Sequence, residues 1–327
     1  MTGFTWRDGE RTIRFGRGVV AEAVEVLGGE GYALLTTERA AAMAPAVVEG
    51  AAAVHMLGGG LVDELAGDLL GAVARERIVG LGGGRVVDTA KSLAAASGGT
   101  QVAMAVPTTL SGAEMTRIHR RARGADQRAP TVRARVVVND PELSASQPLA
   151  ELAASALNAL GHAVEGPCTP LANPVATLAA HDGARLLARS LSDAPDRDGL
   201  ALGALLAGYV IDSTGYGLHH ILSQTLVRLA GASHGQANAV LLPHTTGALA
   251  RRFPERLEAI GVALDGDPSE VATRMCALVG ATRLHDLGIE HDLLAQCAEA
   301  AAERPELDLT PPRADRAELL ALYEAAW

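Results

Sequence analysis

The first 145 residues alternate short apolar runs, rich in β-branched residues, with alanine-rich stretches of helical period. The runs at 11–15, 32–36, 52–57, 77–81, 101–106 and 133–138 read as strands, and 19–27 and 61–74 repeat apolar positions at helical spacing. Strand and helix in alternation predict an α/β domain with a parallel sheet wrapped by helices, whose ligands bind at the carboxyl ends of the strands. After Asn139-Asp140-Pro141 the β-branched runs stop, and almost every segment from 147 to 327 has helical period. Proline-rich breaks fall at 167–174, at Pro195 and at 310–312. The pattern therefore predicts two domains, a dinucleotide-binding α/β domain over 1–145 and an all-helical substrate or metal-site domain over 146–327.

Composition narrows the function. The chain has 327 residues, 48% of them hydrophobic but only 3% aromatic, so its cores must be built from Ala, Val and Leu. A net charge of −10 and no basic stripe argue against nucleic acid as a partner. The arginines at 117–123 and Arg251-Arg252 read first as solvated faces. Three isolated cysteines imply neither a disulfide framework nor a metal cluster. The N-terminus lacks the charged head and apolar stretch of a signal peptide, and no apolar run reaches the length of a membrane span. A soluble cytoplasmic protein acting on a small-molecule substrate is the expectation.

Of the 28 Lys and Arg residues, 27 are arginine; Lys91 is the sole lysine. It ends the segment Gly82-Gly83-Gly84-Arg85-Val86-Val87-Asp88-Thr89-Ala90-Lys91, directly after an apolar strand. A compact ammonium retained where arginine is the rule predicts a pocket that the planar guanidinium does not fit. Three glycines entering a helix let the backbone approach a pyrophosphate and present free N–H groups to it, although tight turns between strand and helix need glycine in any case. Thr108 and Thr109 follow the next strand in Pro107-Thr108-Thr109, where their hydroxyls could hold ribose or nicotinamide groups or form an ordinary turn. Asn158 and His162 are four residues apart and share a helix face. With His220 and His234 they form a set able to converge on a divalent ion, whereas His181, His285 and His291 read as ordinary core or surface histidines.

Taken together these segments resemble the iron-containing alcohol dehydrogenase superfamily, and within it the maleylacetate reductase branch. The resemblance rests on Gly82 to Lys91, on Pro107 to Thr116 with its Pro-Thr-Thr-x-x-Gly-x-Glu-Met-Thr pattern, on Asn158 to Glu165, on Ala172 to Val175 and on Gly217 to His220. It runs from about residue 10 to the C-terminus. It implies a dehydroquinate synthase-like two-domain fold, a homodimer, and NADH or NADPH in the cleft between the domains. Gly82, Gly83 and Gly84 would bind the pyrophosphate, and Thr108 and Thr109 would touch the nicotinamide side with Asp88 and Lys91 close by. Asn158, His162, His220 and His234 would occupy the metal-ligand positions for Fe or Zn. Asp in NAD-specific members is replaced by Thr37, with Arg39 nearby to pair with a 2′-phosphate, so NADPH is expected to be accepted.

Two departures from the metal-dependent members shape the mechanism expected here. Asn158 stands where they carry Asp, and Gln224 stands where they place a further histidine. The reading is a reductase that transfers hydride to a carbonyl or activated C=C of a small polar substrate without needing metal. A protonated His220 or His234 would stabilise the oxyanion, and Lys91 and Asp88 would be catalytic neighbours. The alternatives are a metal-dependent alcohol or aldehyde dehydrogenase of a natural-product or phosphonate pathway, a cyclase of the dehydroquinate synthase kind, and a non-catalytic nucleotide-binding relative.

Overall fold

The computed structural model describes residues 3–327; Met1 and Thr2, where the stretch read for a signal peptide begins, lie outside the described residues. The chain divides into two compact units, one ending at Gln147 and the other beginning at Pro148.

The first unit is built on a seven-stranded sheet. Its strands are β1 (Phe4–Asp8), β2 (Arg11–Phe15), β3 (Tyr32–Thr36), β4 (Ala51–Met56), β5 (Arg77–Gly82), β6 (Val102–Pro107) and β7 (Val136–Asn139). They lie in the order β1-β2-β7-β6-β5-β3-β4. All neighbouring pairs are parallel except the β1–β2 hairpin. β3, β5 and β6 are buried along nearly their whole length, as continuous Val, Ile and Leu runs require when helices cover both faces. β4, at the edge, alternates half-buried and exposed residues. β1 does the same, which is why its sequence carries no apolar run. Phe4 stacks on Phe15 with ring centroids 5.1 Å apart and fixes the hairpin to the sheet.

Helices α1 (Ala23–Val26), α2 (Glu38–Met43), α3 (Pro45–Glu49), α4 (Val62–Asp68) and α5 (Gly84–Ala96) complete this unit. The predicted helix at 61–74 is thus shorter than its apolar period, stopping before Leu69. α5 packs tightly on β5: a Cβ on Gly80 would lie 3.0 Å from the Cα of Val87. The second unit is all-helical, as its periodicity predicts. Its helices are α6 (Leu149–Glu165), α7 (Pro174–Ser190), α8 (Arg197–Thr214), α9 (Leu218–Ala230), α10 (His234–Arg252), α11 (Pro254–Leu264), α12 (Pro268–Cys276), α13 (Leu293–Ala302) and α14 (Arg316–Ala326). The proline-rich breaks fall between helices; Pro243, inside α10, does not end it. Among the described residues no helix is long and apolar enough to cross a membrane.

Arg11, at the start of β2, is almost wholly buried. Its Nε donates to Ala134 O at 3.0 Å, Nη2 to Glu114 O at 2.9 Å and Nη1 to Met115 O at 3.3 Å. Asp8 lies 3.4 Å from the same guanidinium. One side chain therefore ties the sheet to the loop after β6. Arg11→Met keeps the stem and leaves these carbonyls without their donors, which costs about 3 kcal/mol. The expected result is a lower urea midpoint with an unchanged m-value; an unaltered midpoint would show that the loop holds without Arg11.

Candidate functional site

The carboxyl edge of the sheet brings the nucleotide candidates of the first unit together. β5 and β6 are in register from Arg77 against Val102 to Gly82 against Pro107, so the glycine turn and the Thr108-Thr109 turn emerge side by side. Thr108 N donates to Gly82 O at 3.0 Å. Gly82 has φ +157, in a region side chains rarely adopt, and a Cβ there would meet Val86 at 2.8 Å. A Cβ on Gly83 would reach Thr109 at 3.0 Å, and one on Gly84 would reach Ser111 Oγ at 2.8 Å. Gly83 caps α5 without any side-chain hydrogen bond. Val86 N–H returns to Gly83 O at 2.9 Å, and the N–H groups of Gly84 and Arg85, at the head of a thirteen-residue helix, take no side-chain cap, which fits a pyrophosphate.

Thr37 lies at the same edge, since β3 pairs with β5 up to Thr36 opposite Leu81. Its Oγ1 accepts from Ala40 N at 3.3 Å and caps α2, so the hydroxyl proton stays available. Arg39 is exposed in the first turn of that helix.

Lys91 has a different part from the one its sequence context suggests. It is fully buried, and its Nζ lies 2.7 Å from Ala113 O, 2.9 Å from Thr116 O and 3.2 Å from Ile118 O. Asp88 Oδ1 is 2.7 Å away as counter-ion. The ammonium is therefore spent on the loop that follows Thr109, with Asp88 as its partner, and the buried Lys91 lacks the ligand-facing charge that its sequence context suggests. Burial raises the Asp88 carboxyl, and the Lys91 charge opposes that rise.

Glu114, in the same loop, is buried and its Oε2 has no hydrogen-bond partner. Burial pushes it up to about 7, against the pull of its own backbone N–H and of the Lys91 and Arg11 charges.

In the second unit α6 presents Asn158, His162 and Glu165, all buried, and α9 presents His219 and His220, also buried. Glu165 organises the group. Its Oε1 accepts from the backbone N–H of His219 at 2.7 Å, in the first turn of α9, and its Oε2 lies 2.8 Å from Nδ1 of His220. The His162 and His220 rings stack at 4.7 Å, and His219 meets His220 edge-on at 4.8 Å. His219 Nδ1 donates to Thr245 Oγ1 at 2.9 Å, because that hydroxyl donates to Leu241 O. A Cβ on Gly161 would approach His219 Nε2 to 2.6 Å, so glycine is what lets α6 and α9 meet here. His234 opens α10 and is exposed, with Gly235 against Ala154 of α6.

Nε2 of His220 and Nδ1 of His162 are buried without a hydrogen-bond partner. An imidazole held by a carboxylate through Nδ1, with Nε2 bare, is the arrangement that metal-bound histidines adopt. His220 is a donor of this kind and His162 adds a bare Nδ1 beside it, and this pair fits a metal. The set as a whole does not: Asn158 supplies no anionic oxygen, and no group of three or more His, Cys, Asp or Glu among the described residues is arranged to hold an ion. Burial, with the like charge of His234, pushes His220 down to about 3, and burial lowers His162 well below its usual range. Burial thus favours the neutral imidazole at His220, one of the two residues expected above as a protonated electrophile.

Glu165, Thr245 and Glu114 were given no role by the sequence reading, although Glu165 and Glu114 lie in its motifs. Gln224 sits one turn beyond His220, and Arg304 donates to its Oε1 and to the Tyr216 hydroxyl, both at 3.3 Å, while pairing with Glu306 at 2.9 Å. The neutral amide of Gln224 is thereby held by an arginine that is itself paired with a carboxylate.

Residues 152–327 match the model of the Fe-containing alcohol dehydrogenase family, C-terminal. The chain is 35% identical over 257 residues to a maleylacetate reductase of Sphingobium indicum, covering 73% of this chain and 72% of that protein. It is 32% identical over 212 residues to a 1,3-propanediol dehydrogenase of Klebsiella pneumoniae, covering 59% and 55%. The crystal structure of maleylacetate reductase from Agrobacterium tumefaciens superposes with a TM-score of 0.83 at 26% identity, covering 100% of this chain and 99% of that one.

Two outcomes test the first unit. Lys91→Arg forces a guanidinium into a sealed ammonium pocket, so stability should fall by about 2–4 kcal/mol, read from the denaturant midpoint; an unchanged midpoint would show that the pocket accepts the larger group. Glu114 carries a folded-state pKa of about 7, above its value of 4.5 when unfolded. The folded state therefore binds the extra proton, and stability should decline as pH rises from 4.5 to 7, by up to about 3 kcal/mol. Glu114→Gln should flatten that slope in urea titrations across this range; an unchanged slope would mean that another group causes it.

Proposed function

The chain belongs to the iron-containing alcohol dehydrogenase family, and from that premise we propose that it is a maleylacetate reductase-like enzyme, an NAD(P)H-dependent oxidoreductase acting on a small polar substrate. The similarity to maleylacetate reductases carries this reading. Family membership sets aside the cyclase, and the similarity to maleylacetate reductases supports an enzyme over a non-catalytic relative.

The glycine turn 82–84 would hold the pyrophosphate on the N–H groups of Gly84 and Arg85 at the head of α5, and Thr108 and Thr109 line the adjoining turn. Bound there, the nicotinamide supplies hydride to a carbonyl or an activated C=C. Thr37 offers a hydroxyl and no carboxylate to the adenosine ribose, and Arg39 supplies positive charge for a 2′-phosphate. Lys91, paired with Asp88, keeps the loop after Thr109 in place without touching the reacting atoms. Glu165 orients His220, whose ring stacks on His162. His234, exposed at the head of α10, supplies the proton that the reduced oxygen or carbon takes up. A homodimer in the cytoplasm belongs to the same reading on family resemblance alone.

A second reading is a metal-dependent alcohol or aldehyde dehydrogenase. It is favoured by the partnerless nitrogens of His162 and His220 and by the similarity to a 1,3-propanediol dehydrogenase. Asn158 is what weighs against it.

The test is purification with chelator, elemental analysis, and assay with maleylacetate. Turnover without metal is expected, with kcat/KM for NADPH at least equal to that for NADH. Activity that vanishes on chelation and returns with Fe²⁺ or Zn²⁺ would favour the second reading. A strong preference for NADH would remove the role given to Thr37 and Arg39.

A further inference from the structure

The cofactor candidates of the first unit stand at the carboxyl edge of the sheet, but a cavity of about 330 Å³ opens at the opposite edge. Three parallel neighbours, β2, β7 and β6, each contribute the residue just before the strand begins: Glu10, Arg135 and Gln101. Arg117, Thr131 and Arg133 supply further wall. β6 is six residues long, so this cavity lies on the order of 20 Å from the Thr108 turn at that strand's other end. It is not part of the nucleotide site.

Its charge is out of character with the chain. The net charge is −10, yet residues 117–135 carry seven arginines and one acid, Asp126. Several of the seven are engaged away from the cavity, Arg123 with Asp68 and Arg121 with the carbonyl of Ala129. Three of them, Arg117, Arg133 and Arg135, line it, and Arg117 and Arg135 are exposed. Asp8 lies 3.5 Å from Arg133 and 3.4 Å from Arg11. Of the charged residues that line the cavity, three are arginines (Arg117, Arg133 and Arg135) and one is an acid, Glu10. Glu10 registers that field: its own backbone N–H and the charges of Arg133, Arg11 and Arg135 hold its carboxyl below the usual range.

We propose that this cavity is a binding site for a small polyanion, a metabolite whose phosphate or paired carboxylates are received by Arg117, Arg133 and Arg135. Guanidinium forks bind such oxygens two at a time, and the volume suits a small metabolite. Glu10 and Thr131 leave an acceptor and a hydroxyl for the uncharged part of the ligand, which points to a hydroxylated anion over a bare one, while the Gln101 amide is held by the carbonyls of Val73 and Arg75 at 2.8 Å each. The site also bears on the loop described above. Arg117 lies between Thr116 and Ile118, whose carbonyls hold Lys91, and Ala94 of the cavity wall is one turn along α5 from Lys91. An occupant would brace the loop from its far side. The proposal stands independently of the reductase reading, since it concerns binding and not turnover.

The test is calorimetric titration of the whole protein with citrate and, separately, with inorganic phosphate, against sodium chloride of equal ionic strength. Melting temperatures are read alongside. Saturable binding of one equivalent is expected, with a rise in melting temperature that chloride does not give. Tighter citrate identifies a polycarboxylate as the ligand class, and tighter phosphate a phosphorylated one. Arg117→Ser with Arg135→Ser, both exposed and outside the nucleotide turn, should weaken binding by at least about tenfold while leaving the unliganded melting temperature in place. Anion binding that survives in this double variant belongs to the glycine turn and overturns the proposal, as does the absence of saturable binding in the unmodified protein. If the double variant fails to fold, Arg135→Ser alone serves the same comparison.

Discussion

An ammonium sealed inside a protein must be surrounded by oxygen, and in the first unit that requirement falls on the loop after β6. Lys91 draws the carbonyls of Ala113, Thr116 and Ile118 onto α5, and Arg11 draws those of Glu114 and Met115 onto the start of β2. Two buried cations thus take up the free acceptors of a segment with no regular structure. The turn bearing Thr108 and Thr109 is held from behind by charge-assisted hydrogen bonds. The glycine turn needs this support: with no side chains of its own, it depends on Thr109 and Ser111 as the surface it rests against.

The second unit meets a similar demand with the opposite sign. Glu165 ends α6 and is buried where the first turn of α9 presents unpaired N–H groups, so one carboxyl answers both a helix terminus and an imidazole. That double use sets the orientation of His220 by backbone geometry. Gly161 permits the approach, because any Cβ there would displace His219. The histidine cluster is therefore a product of helix packing as much as of histidine chemistry, and its imidazoles are kept neutral by the same burial that orders them.

Much of this was legible in the sequence, and the limits have physical causes. The strands from β2 to β7 could be read because buried parallel strands are continuous apolar runs; β1 could not, since it shows only one half-buried face. The glycine and threonine turns were legible as a pair because each follows such a strand. Lys91 was rightly singled out as incompatible with arginine, but whether an ammonium faces a ligand or a loop depends on carbonyls more than twenty residues away. Glu165 sits in a motif read for its neighbours, and its role depends on a contact with α9 across 54 positions. Burial, which sets the charge of His220 and Glu114, is a property of the packed chain and has no local signature.

The sole lysine carries one further consequence. A reagent that acylates amines finds no side-chain target on the surface of the folded chain, since the one ε-amino group is fully buried. It becomes a nucleophile only when α5 separates from the loop beneath the threonine turn. The molecule thereby contains its own single-site reporter of opening. The rate at which Lys91 acquires a label measures how often the first unit breathes, at one defined position and with no engineered probe.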